Sequence, residues 1–196
     1  MTAQPDTMMA ADAAGHSEEG RPGAAAAAGG LADATSFKAA FGGHPAGVSV
    51  ITAASPTGPV GITASSVASV SAEPPILAFS LASMSGSAAA IAAAEFLVIH
   101  LLTADDLELA RIFASPVSKR FTRSMAWTPL ETGEPLLRHA GYALRCRVLS
   151  RTPAGGSLLV AASVVEVIAP AAPGEPMVYH RRLFHGLGGH TVLPGS

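Results

Sequence analysis

The chain has 196 residues, a formal net charge of −2, 13% charged residues and 49% from the hydrophobic set. That is apolar material for one domain with a sizeable core, and the near-neutral balance leaves out nucleic acid, which needs a basic face. The single cysteine, Cys146, excludes an intrachain disulfide and any multi-cysteine metal site and reads as a buried apolar thiol.

Residues 1–34 hold an alanine run, Gly29, Gly30 and almost no large apolar side chain. They cannot bury enough surface to offset ordering entropy, so they read as a disordered leader. Asp6, Asp12, Glu18 and Glu19 stand where a secretory signal would be basic. The uncharged stretch 74–94 opens on Pro74 and Pro75 and carries Ser80, Ser83, Ser85 and Ser87, which does not suit a membrane span. A cytoplasmic location is expected.

Phe37, Ala40 and Phe41 recur at helical spacing until Gly42 and Gly43 stop the helix. Residues 47–52 are rich in β-branched side chains and read as a strand. Pro56, Thr57, Gly58 and Pro59 turn the chain, and 60–63 return. Residues 66–71 alternate small polar and apolar groups, and 76–81 form a short buried strand. Ser87 is a candidate N-cap for an alanine helix through Glu95. Residues 96–102 make the clearest strand, after which Thr103 caps a helix over 104–113. The connection through Lys119 to Trp127 reads as irregular, and 136–140 as loop. Residues 142–149 alternate, with Arg145 and Arg147 on a wet face opposite Leu144, Cys146 and Val148. Residues 158–168 form another strand, 177–179 with Leu183 and Phe184 close the domain, and 188–196 form a polar tail. The expected domain is 35–187. Strands outnumber helices and follow one another as hairpins, so the fold reads as mainly β, an antiparallel barrel with a few helices.

Small residues dominate 61–66 and return at Ser69 and Ser71. Such residues let a backbone approach a flat ligand, and their N–H and hydroxyl groups can meet its polar edges. On spacing alone, a serine-rich, solvent-facing strand pair fits better. Residues 83–87 precede the alanine helix, where hydroxyls and free N–H groups form an anion site; plain capping needs no ligand. The glycine-rich dinucleotide fingerprint and the phosphate-loop lysine are absent. His180, His185 and His190 recur every five residues, which suits neither helix nor strand face, so no metal is expected. Asp105 and Asp106 suit a helix start, and no nucleophile elbow surrounds Ser65 or Ser66.

Taken in order, the pieces resemble the flavin reductase-like family with the FMN-binding split barrel. Its members are typically reductase components of two-component flavin monooxygenases. The similarity runs from about 37 to 187: residues 44–48, the most specific tract 61–75, Ser85 and Ser87, 96–102, 109–114, 119–121 and 178–184. It implies a Greek-key-like, six-stranded antiparallel barrel. It also implies that Pro45, Ala46, Thr63, Ala64, Ser65 and Ser66 line the isoalloxazine and ribityl parts, with Ser69, Val70 and Ser71 continuing the wall. Ser85 and Ser87 would hold the phosphate, Lys119 or Arg120 would add charge, and Phe121 would pack by the ring. His100 replaces a common asparagine and reads equally as a flavin contact or a satisfied core histidine. His180 would lie near the flavin face where nicotinamide stacks. Ser157 stands where the family usually has a histidine facing the nicotinamide, and Ala162 replaces a glycine. The implied reaction is hydride transfer from NADH or NADPH to FMN or FAD, in a homodimer that supplies a flavin-dependent monooxygenase. Ser157 keeps open a flavin-binding module without efficient nicotinamide turnover, and a deazaflavin or haem barrel is a third reading.

Overall fold

The computed structural model describes residues 30–194 apart from Ser83, Ala140 and Pro173. Most of the expected leader, 1–29, lies outside the described residues. The Asp33 carboxylate accepts the N–H groups of Thr35 and Ser36 and caps α1 (Ala34–Gly42). Gly43 ends it, with its N–H on the last carbonyls. No residue of α1 is buried, and Phe37 and Phe41 stack on each other 4.7 Å apart.

The chain then runs β1 (Ala46–Gly47), β2 (Ser49–Ser55), β3 (Gly58–Ala64), β4 (Ala68–Ala72), β5 (Pro75–Leu81), α2 (Gly86–Ala93) and β6 (Phe96–Leu101). A 3-10 turn, Ala104–Asp106, leads into α3 (Leu107–Ala114). β7 (Trp127–Pro129), β8 (Pro135–Leu137), β9 (Ala143–Ala154), β10 (Ser157–Ile168), β11 (Met177–His180) and β12 (Leu183–Gly186) follow.

Seven strands pair in the order β3-β2-β6-β9-β10-β5-β4, all antiparallel. β3 and β4 therefore lie at opposite edges, although only Ser65, Ser66 and Val67 separate them in the chain. A flat sheet of that width would hold its edges about 29 Å apart. The four Cα steps from Ala64 to Ala68 reach about 14 Å at most. The sheet must curl. Its concave side holds one cluster built from β2, β5, β6, β9, β10 and α2, including Ile51, Phe79, Ile91, Leu97, Cys146 and Val160. This is the split barrel that the order of elements implied. Its seventh strand is β4, which pairs along β5 at the edge with an irregularity between Ser69 and Ser71. Cys146 is the expected buried thiol, and burial pushes its pKa up to about 12. A second cluster joins Val48, Val50, Leu102, Phe113, Leu137 and Met177 beside the small sheet β1-β11-β12.

Four local expectations are corrected. Trp127 and residues 136–137 lie in the paired strands β7 and β8, not in irregular chain. Strands this short, with Pro129 and Pro135 in them, carry too little alternation to be recognised. Arg145 is not on a wet face: its Nε donates to the buried Glu134 carboxylate at 2.6 Å. Arg147 does face solvent, beside Glu95. Ser85, not Ser87, is the N-cap of α2, and Ser87 sits inside its first turn. Thr103 caps as expected, its N–H and hydroxyl both donating to Asp106 at 2.8 Å.

Candidate functional site

Along β3, small side chains leave a trough of three adjoining hollows. The first, about 770 Å³, is lined by Pro45, Ala46, Ser65, Ser66 and Tyr179 among others. The second, about 310 Å³, shares Ser65 and Tyr179 and adds Val48, Thr63, Ala64 and Phe184. The third, about 280 Å³, shares Thr63 with the second and reaches Phe113 and Arg120. From Ser65 back to Gly61 the strand covers on the order of 13 Å. Pro45, Ala46, Thr63, Ala64, Ser65 and Ser66 are thus brought together on one elongated surface.

Each element of this wall has a local cause. A Cβ at Gly61 would stand 2.5 Å from the Phe113 ring and 3.3 Å from the Ile51 carbonyl, so only glycine lets α3 seat there. The Thr63 hydroxyl donates to Ala110 O at 2.7 Å and ties β3 to α3. The Ser66 hydroxyl donates to Ser80 O at 3.1 Å and accepts the Ser80 N–H at 3.0 Å, pinning the link between β3 and β4 to β5.

At the far end, Arg120 spans three elements. Its Nη1 donates to Gly61 O at 2.8 Å and to the Ser87 hydroxyl at 3.1 Å, and Nη2 donates to Ser115 O at 2.6 Å. Burial draws its pKa below the usual guanidinium value, yet the group stays cationic. Its Nε is buried without a hydrogen-bond partner among the described residues. The Arg120 side chain lines the third hollow and touches Ser87 in the first turn of α2, so an oxyanion in that hollow would meet a guanidinium and a helix start. The residues present therefore fit a ligand with a flat ring at one end and a phosphate at the other.

The other expected site residues are not among those lining the three hollows. Lys119 is exposed and lines a separate hollow with Asp105, Glu108 and Arg138, so Arg120 is the cation beside α2. Ser85 stands exposed at the start of α2. Phe121, with φ of 55°, packs edge-on between Phe113 at 5.3 Å and Trp127 at 5.5 Å, a layer behind the trough. His100 is fully buried: Leu137 N–H donates to its Nε2 at 3.0 Å, so Nδ1 carries the proton donated to Val50 O at 3.0 Å. Burial lowers its pKa to about 3. It is a core histidine joining three strands, with both ring nitrogens already engaged. Ser69, Val70 and Ser71 lie on the edge strand β4 and do not line the three hollows. Neither does Ser157, at the β9–β10 turn opposite Ala154. The His180 ring stands 5.8 Å from that of His185, and the neighbours of His180, not His180 itself, line the first hollow.

Those neighbours, Tyr179, Arg181 and Arg182, were missed as site residues, as was Phe184. The two-residue spacing between the closing strands was the available signal, since it makes 181–182 a hairpin tip. Among the described residues, no His, Cys, Asp and Glu side chains group as metal ligands. No helix among them is long and apolar enough to cross a membrane.

The chain resembles known proteins in both sequence and structure. Over 102 residues it is 41% identical to the NADH:FMN oxidoreductase of Rhodococcus erythropolis, covering 50% of this chain and 53% of that protein. It is 35% identical over 107 residues to the reductase component of a 4-nitrophenol 4-monooxygenase/4-nitrocatechol 2-monooxygenase from Rhodococcus opacus, covering 55% and 54%. The chain thus spans about half the length of the curated relatives it matches. A flavin reductase domain protein from Arthrobacter sp. FB24 superposes with a TM-score of 0.73 at 33% identity, covering 79% of this chain and 95% of that one. An NADH:FAD oxidoreductase from Streptomyces globisporus, solved with NAD and FAD fragments, gives 0.72 at 25% identity, covering 80% and 94%. The flavin reductase like domain matches residues 41–188, nearly all of the barrel just described, and the chain belongs to that family.

Proposed function

We propose that the chain is an NAD(P)H-dependent flavin reductase that moves hydride from NADH or NADPH to FMN, with FAD as an alternative acceptor. One observation carries this reading: the β3 trough joins a wide hollow at Ser65 and Tyr179 to a hollow lined by the Arg120 side chain. The names of the relatives support it. Bound flavin supplies the hydride-accepting ring, so the protein contributes binding, orientation and electrostatics. Pro45, Ala46, Thr63, Ala64 and Ser65 give the ring a flat, close wall. Arg120, Ser87 and the start of α2 hold the phosphate. Tyr179 and Phe184 shield the opposite side.

The working unit is 35–187, with 1–34 as a leader and 188–196 as a tail. The chain works as a homodimer in this reading, with Leu149, Leu159, Val165 and Val167, exposed along β9 and β10, as candidates for its contact. A cytoplasmic setting and a flavin-dependent monooxygenase that receives the reduced flavin complete the reading. Ser157 favours a second one, a flavin-binding module without efficient nicotinamide turnover.

The test is a titration with FMN and FAD followed by nicotinamide oxidation. Flavin binding with rapid loss of NADH or NADPH absorbance is expected. Binding without oxidation selects the module, and no binding of either flavin overturns both readings.

A further inference from the structure

The loop joining β11 to β12 consists of Arg181 and Arg182 alone, with φ of 48° and 66°. Two-residue hairpin loops with both φ values positive favour Asn-Gly, because glycine carries no Cβ penalty there. Here two long, branched cations occupy those positions. Both line the 770 Å³ hollow, with His44 and without any carboxylate. The tip is held in place, since Arg181 N–H donates to Gly42 O at 3.1 Å. Among the described residues, the ion pairs join Arg145 to Glu134 and Arg147 to Glu95, and neither Arg181 nor Arg182 has a carboxylate partner.

We propose that Arg181 and Arg182, with His44, form an anion subsite at the mouth of the cleft that takes the diphosphate of a dinucleotide. The proposal rests on the flavin reductase reading and adds to it a ligand-selecting residue pair. A mononucleotide flavin has one phosphate, which Arg120 serves at the opposite end of the trough. The Arg181–Arg182 tip lies at the wide end, where a second phosphate-bearing group would emerge. A planar guanidinium engages two phosphate oxygens at once, and two adjacent forks suit a diphosphate. The diphosphate is that of the reductant, NADH or NADPH, because FAD would carry its own at the flavin phosphate, by Arg120.

The test uses Arg182→Gly and Arg181→Gln in the full chain. Glycine suits the φ of 66° at Arg182, so the melting temperature of Arg182→Gly is expected not to fall. FMN titration of the unaltered protein comes first, and its failure would count against the underlying reading rather than this one. With FMN bound, each variant should raise KM for NADH or NADPH about tenfold. The wild-type dependence of that constant on salt should shrink in the double variant. A change in KM with FAD affinity, titrated separately, unmoved supports the subsite, and a change in FAD affinity without one in KM overturns it. If FMN binds and KM does not move in either variant, the subsite does not exist.

Discussion

Arg120 and Ser87 meet across 3.1 Å, guanidinium to hydroxyl, and so fasten the segment after α3 to the first turn of α2. The same Nη1 reaches Gly61 O, which brings β3 into the contact. Arg120→Lys keeps the charge but loses the fork, and FMN affinity should fall about tenfold, with Arg120→Met lower still. Quenching of flavin fluorescence measures both. Affinity unchanged in Arg120→Met would remove the phosphate from this end of the trough.

Gly61 allows the Phe113 ring to lie against β3. Gly61→Ala drives a methyl group into that ring and should destabilise the domain by about 1–3 kcal/mol, the range for an overpacked core. Phe113→Leu in the same chain should recover part of the loss. Urea unfolding of the single and double variants checks this, and equal stability of wild type and Gly61→Ala would contradict the packing.

His100 makes folding sensitive to acid. Its folded pKa is near 3 against an ordinary 6.5, so between those values the unfolded chain binds the extra proton. The stability it contributes is complete above pH 6.5 and is lost as pH falls toward 3. The slope approaches about 1.4 kcal/mol per pH unit, or roughly 2 kcal/mol lost at pH 5. His100→Gln should be less stable at pH 7, through the lost bridge from Val50 to Leu137, yet flatter from pH 6.5 to 5. Denaturant melts across that range decide the matter, and parallel slopes for the two proteins would refute it.

Ser65 lines both the first and second hollows. Ser65→Trp should fill the ring end and abolish measurable FMN binding while the barrel still folds, since the side chain is exposed. Circular dichroism beside a flavin titration tests both parts. A folded variant that binds FMN normally would move the ring elsewhere.

The β3 wall was legible through the family resemblance carried by 61–75, since smallness at 61–66 taken alone fitted a solvent-facing strand pair better. β6 and β10 were legible without it, because their apolar runs are long enough to declare themselves. The ends of the site were harder to read. Lys119 and Arg120 are equivalent as cations along the chain, and only the turn after α3 sends one to Ser87 and the other toward Asp105 and Glu108. His100 was balanced between two roles until the Leu137 N–H and the Val50 carbonyl proved to occupy both nitrogens. Leu137 lies on β8, which the sequence showed as loop, so that partner was invisible. The tip at Arg181 and Arg182 was hidden for a related reason: hairpin loops are recognised by Asn and Gly, and this one contains neither.

Ser65, Ser66 and Val67 link the two edges of a barrel that never closes its ladder, because β3 and β4 end the strand order without pairing. A flavin resting on Ser65 and Ser66 would bridge that seam like a keystone. Breathing of the barrel and escape of the cofactor then become a single motion. Amide exchange along β3 and β4 would slow as flavin is added, and saturation at 100 times Kd would raise stability by about 2.7 kcal/mol. The residence time of the cofactor would be set by how often the seam opens.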